Sequence, residues 1–105
     1  MKVLRRAARR EFEDRLLRHL REVLGELPPA TAIDAEGVMK SAESLGITSE
    51  RDIARFGELM YRYARSHEPA VLPKQARNIL LAYGVAPAVK LARLAAWGAS
   101  EPKAG

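Results

Sequence analysis

Apolar residues recur at three- and four-residue spacing from the start of the chain: Leu4, Ala8, Phe12, Leu16, Leu20, Val23 and Leu24. That spacing draws one stripe and predicts a long amphipathic helix from about residue 3 to about residue 24. Gly25 is placed to cap its C-terminus and Pro28-Pro29 forbids continuation, so residues 25–33 read as a linker. Asp34 is a good N-cap for a short second helix through about Leu45, with Glu36 in its first turn and Gly46 ending it. Thr48 or Ser49 starts a third helix, and Ser49-x-x-Asp52 is a weak relative of the capping box. Its expected inward positions are Ile53, Phe56, Met60, Tyr63 and Ala64, while Gly57 beside them points to a close approach by another helix. Pro69 and Pro73 bracket a turn, with His67 and Glu68 just before it. Pro73 suits the first position of a fourth helix through about Tyr83, carrying Ala76, Ile79 and Leu80 inward and closed by Gly84. Ala86-Pro87 opens a fifth helix to about Trp97, with Val89, Leu91, Leu94 and Trp97 apolar. Residues 98–105 are small and polar, and a flexible tail is expected there.

These elements predict an all-α fold: a compact bundle of about five helices, in a single domain over residues 1–105, with the long first helix packed across the rest. Composition agrees. Ala, Leu, Arg and Glu dominate, and hydrophobic residues at 48% argue against disorder. There are no cysteines, which excludes disulfides, thiol catalysis and cysteine-based metal sites. No apolar run approaches a membrane span. Arg9, Arg10, Glu11 and Asp14 interrupt any signal-peptide core, so a cytoplasmic location is expected.

Charge adds a candidate surface. Residues 1–21 hold eight basic and three acidic side chains, and the other 84 hold ten of each, which assigns the net +5 to the first helix. Arg5, Arg6, Arg9 and Arg10 flank the apolar stripe and form a positive band. Such a band suits an acidic protein surface, a partner helix, nucleic-acid phosphate or anionic lipid, or it is simply a solvated face.

Catalytic chemistry is thin. His19 and His67 are the only histidines, and neither has a ligand-like neighbour one turn away, so surface or capping roles are expected. Glu50 and Asp52 lie in the first turn of the third helix, where they complement the helix dipole. The serines sit in no nucleophile elbow, and all seven glycines are isolated, so no phosphate cradle is present. No catalytic residue, metal or cofactor is expected, and the chain reads as a binding protein. The second helix, Gly46 and the third helix have the outline of a helix-turn-helix, but the would-be recognition helix opens with two carboxylates, Glu50 and Asp52.

The stretch from Gly46 to Met60, G-I-T-S-E-R-D-I-A-R-F-G-E-L-M, resembles a pattern in small helical proteins encoded beside spike and effector genes of bacterial type VI secretion systems. Glu68-Pro69-Ala70-Val71-Leu72-Pro73 looks like that family's following turn, and Phe12–Leu16 and His19–Arg21 resemble its opening helix. The similarity covers about residues 8–82; Lys74 stands where a Trp is usual, and His67 and Glu68 replace aspartates of the turn. The resemblance implies a non-catalytic protein–protein interaction module: an adaptor, chaperone or immunity-type protein that binds an effector or spike component. Arg5, Arg6, Arg9, Arg10, His67 and Glu68 are the expected partner-binding residues. The alternative is a small nucleic-acid-binding regulator using the basic first helix or the helix-turn-helix outline. A membrane surface is not the expected partner, and a homodimer through Leu4 and Ala8 stays open.

Overall fold

The computed structural model describes residues 2–25 and 32–100, with side chains from residue 8 onward. Five α-helices follow one another: α1 (Lys2–Leu24), α2 (Ala35–Ser44), α3 (Glu50–Tyr63), α4 (Lys74–Leu81) and α5 (Pro87–Ser100), with a 3-10 turn over Pro69–Val71. No strand occurs among the described residues, and the fold is an all-α bundle as the periodicity predicts.

The helix ends follow from local chemistry. Gly25, at φ +64°, donates its N–H to the Arg21 carbonyl and closes α1. Asp34 Oδ1 accepts the Gly37 N–H at 2.9 Å and caps α2. At the other end of α2, Gly46 adopts φ +80° and donates to the Glu43 carbonyl, while the Ile47 N–H reaches the Ala42 carbonyl at 2.9 Å. This pair of bonds is a Schellman motif, and it leaves the buried Ile47 packed in the core with the buried Ala42. Ser49 Oγ then accepts the Asp52 N–H at 3.1 Å and starts α3. Pro73 is the N-cap of α4 rather than its first residue, and α4 stops at Leu81, earlier than the expected Tyr83. Gly84, at φ +74°, lies in the turn to α5.

α3 is the centre of the packing. It contacts α1 and α2 on one side and α5 on the other, and α4 packs mainly on α5. The long first helix therefore packs chiefly on α2 and α3 instead of crossing the whole bundle. Its buried stripe is Phe12, Leu16 and Leu20, with Leu24 half-buried. Val23 is a correction, standing 39% exposed, and Ala8 is exposed as well. Leu4 lies outside the described side chains.

Because α3 has neighbours on three sides, its buried arc is wider than one stripe. Ile53, Phe56 and Met60 are buried as expected, and Gly57, Leu59 and Tyr61 join them. Tyr63 and Ala64 are only half-buried. A Cβ on Gly57 would stand 3.1 Å from Val38 and 3.2 Å from Leu20, which is the predicted close approach of other helices. In α4, Ala76 and Leu80 are buried and Ile79 half-buried. In α5, Leu91 and Leu94 are buried.

The expected tail from residue 98 is partly corrected: Gly98, Ala99 and Ser100 are helical, and residues 101–105 lie outside the described residues. Gly98 is there for packing. A Cβ at that position would come within 2.1 Å of the Tyr63 ring, which meets Trp97 edge-on at a centroid distance of 6.0 Å.

Candidate interaction site

The arginines singled out on α1 separate in the fold. Arg5 and Arg6 lie outside the described side chains. Arg10 is exposed and enters no ion pair among the described residues. Arg9 is engaged with α2: its two terminal nitrogens donate to Glu43 Oε2 at 2.8 Å and Oε1 at 3.0 Å. That bidentate bond holds the Glu43 carboxyl below the usual carboxylate range and raises the Arg9 guanidinium. Farther along α1, Arg15 reaches Glu50 at 3.0 Å, so the polar flank of α1 stitches the helix to its neighbours.

His67 and Glu68 also part company. Glu68 is exposed, and its N–H donates to Ser66 Oγ at 3.1 Å. His67 folds over the start of α2, where Gly37 leaves room for its ring; a Cβ there would meet Nε2 at 2.6 Å. Its Nδ1 lies 3.3 Å from Ser41 Oγ, and its Nε2 3.6 Å from Asp34 Oδ2. A serine, a histidine and an aspartate thus meet, but Ser41 sits inside α2, where the neighbouring amides bond within the helix. The cluster joins the loop after α3 to the cap of α2.

A different place gathers functional groups. A groove of about 770 Å³ runs between α3 and α5, bordered by α1 and lined by His19, Ser49, Arg51, Asp52, Ala54, Arg55, Glu58, Ala88, Leu91 and Ala92. Its floor is made of small and aliphatic side chains from α3 and α5. Its rim is charged. Glu58, whose side chain is 15% exposed, accepts from His19 Nε2 at 2.9 Å and from Arg55 at 3.4 Å. Arg51 is exposed and makes no ion pair among the described residues.

Ser49 Oγ is committed to capping α3, and no hydrogen bond joins it to His19. No group of three His, Asp or Glu that could hold a metal ion occurs among the described residues. The helix-turn-helix outline corresponds to α2, the turn at Gly46 and α3; α3 contacts α1, α2 and α5, and its Arg51, Arg55 and Arg62 are exposed. None of the groove residues was singled out as partner-binding from the chain alone; His19 was expected in a surface or capping role and Asp52 as a dipole partner at the start of α3. Arg51 and Arg55 share a helix face at one-turn spacing, but nothing in the sequence says that α5 will lie beside that face and turn it into a groove.

Compared with known proteins, the chain matches no family model, no curated protein and no solved structure.

Proposed function

We propose that this chain is a non-catalytic protein–protein interaction module of type VI secretion, an adaptor, chaperone or immunity-type protein that grips an effector or spike component in the groove between α3 and α5. What carries the reading is the division of labour within the segment Gly46–Met60. Gly46, Ile47 and Ser49 are consumed by helix caps, and Ile53, Phe56, Leu59 and Met60 by the core. Arg51 makes no ion pair among the described residues, and it lines the groove together with Arg55, which bonds only Glu58 on its own helix. Arginine over an apolar floor is the residue chemistry that dominates protein interfaces. Ala54, Ala88 and Ala92 allow a partner's backbone to come close.

The secretion association rests on the resemblance of that segment, and the docking role on the groove. Titrating the purified chain with the effector and spike proteins encoded beside it tests both. Binding to one of them is expected, weakened by about 30-fold or more in Arg51→Glu/Arg55→Glu, the effect of losing an interfacial hot spot. Reversal of Arg9 and Arg10 should alter mainly the association rate. No binding to any neighbour would end the secretion reading. Binding indifferent to Arg51 and Arg55 would remove the groove from it.

A further inference from the structure

The charge of this protein is divided between two halves of the fold. All six ion pairs found among the described residues lie within residues 9–67. Residues 69–100, which form the 3-10 turn, α4 and α5, contain Lys74, Arg77, Lys90 and Arg93 and not one Asp or Glu. None of these four cations enters an ion pair among the described residues, although Lys90 is only 8% exposed. A cationic half with no internal counter-charge calls for an anionic partner.

The same half carries exposed apolar side chains that the core does not use. Leu81 is 63% exposed, Val89 42%, and Tyr83 fully so at 101%. They share one end of the molecule, the place where α4 stops and α5 begins. Leu81 lies four residues after Arg77 on α4, and Val89 four residues before Arg93 on α5. Residues four apart share a helix face, separated by about 6 Å along the axis. Both helices thus present an apolar side chain at the tip and an arginine one turn behind it, with Lys74 a further turn back on α4.

We infer that the α4–α5 tip docks on an anionic phospholipid surface, with Leu81, Tyr83 and Val89 entering the interface and Arg77 and Arg93 meeting the headgroup phosphates. Interfacial elements sink their apolar residues about 5–10 Å below the headgroups, which matches the one-turn offset between tip and arginines. Tyrosine is a residue of that boundary. A nucleic acid would satisfy the cations but offers nothing to Leu81 and Val89. A bilayer accepts a protruding side chain without a complementary pocket. No helix among the described residues is long and apolar enough to cross a membrane, so the attachment is peripheral. It uses a surface other than the groove and stands or falls separately.

Co-sedimentation with vesicles of phosphatidylcholine, and of phosphatidylcholine mixed with phosphatidylserine, tests the inference. Binding is expected only to the anionic vesicles and should fall as sodium chloride rises. Each arginine near such a surface contributes about fivefold, so Arg77→Glu/Arg93→Glu should lose about 25-fold or more. Leu81→Ser/Tyr83→Ser should also lose binding with the charges intact. Both pairs are on the surface, and circular dichroism confirms that the variants fold. As a measurement without charge change, Tyr83→Trp in a Trp97→Phe background should shift its emission to the blue on anionic vesicles. Four results would overturn the inference: no binding to anionic vesicles; binding unaffected by either pair; loss with the arginine pair alone and no emission shift, which is adsorption without insertion; or charge-dependent binding of duplex DNA in place of vesicles.

Discussion

At the scale of single residues, two side chains show how closely this small core is fitted. Gly98 has no room for a Cβ, because the Tyr63 ring occupies that space at 2.1 Å and is itself held edge-on against Trp97. Gly98→Ala improves helix propensity, yet overpacking outweighs that gain. The expected result is a loss of about 1–3 kcal/mol in urea unfolding. Tyr61 is the other case. Its buried hydroxyl accepts the Asp34 N–H at 2.8 Å and donates to the Ala32 carbonyl at 3.4 Å, pinning the entry to α2. Burial raises its pKa. The folded state therefore keeps its proton where the unfolded chain has lost it. Its stabilising contribution is whole below about pH 10 and declines as pH rises toward the folded-state value. Tyr61→Phe should cost about 1–2 kcal/mol at neutral pH and flatten the alkaline decline, both read from urea unfolding on either side of about pH 10.

At the scale of elements, the junction between α2 and α3 shows local sequence specifying local structure with little outside help. Gly46 supplies the left-handed residue, Ile47 the buried contact and Ser49 the cap, all within four residues. Ser49→Ala should cost about 1 kcal/mol, visible as a fall in Tm of roughly 4–8 °C, whereas Ser49→Asp should be nearly neutral. These signals act through the backbone over one turn, which is why α2 and the start of α3 were legible. α4 was less so. It spans only Lys74–Leu81, and without a strong stop signal before Gly84 its end depends on how the turn packs. α5 was underestimated at Gly98 for a related reason: a glycine reads as a helix end unless a ring from another helix is known to cover it.

At the scale of the whole molecule, charge is organised by position rather than by amount. Arg9–Glu43, Arg15–Glu50 and His19–Glu58 tie α1 to α2 and α3, each through exposed or half-exposed side chains. Such pairs contribute at most about 1 kcal/mol each, so they fix how α1 is oriented on its neighbours more than they stabilise the fold. The ten acidic and ten basic residues beyond residue 21 are balanced in number but unevenly placed: every carboxylate of residues 22–100 lies before residue 69, whereas Lys74, Arg77, Lys90 and Arg93 lie after it. Two surfaces are proposed to bind partners: the groove rim with Arg51 and Arg55, and the basic, apolar-tipped pair of α4 and α5. The two charge-reversal pairs proposed above lie on different helices and test them one at a time.

The chain by itself determined the helices, the caps of α2 and α3, the buried Phe12, Leu16 and Leu20 of α1 and the buried Ala76 and Leu80 of α4, because periodicity, glycine and capping side chains act over a few residues. Which helix lies at the centre was decided only by tertiary packing, and with it the burial of Tyr61, the exposure of Val23 and the engagement of Arg9 by Glu43. The candidate sites belong to that second class. A groove needs two helices side by side, and an uncompensated cation is defined by carboxylates that fail to reach it through space.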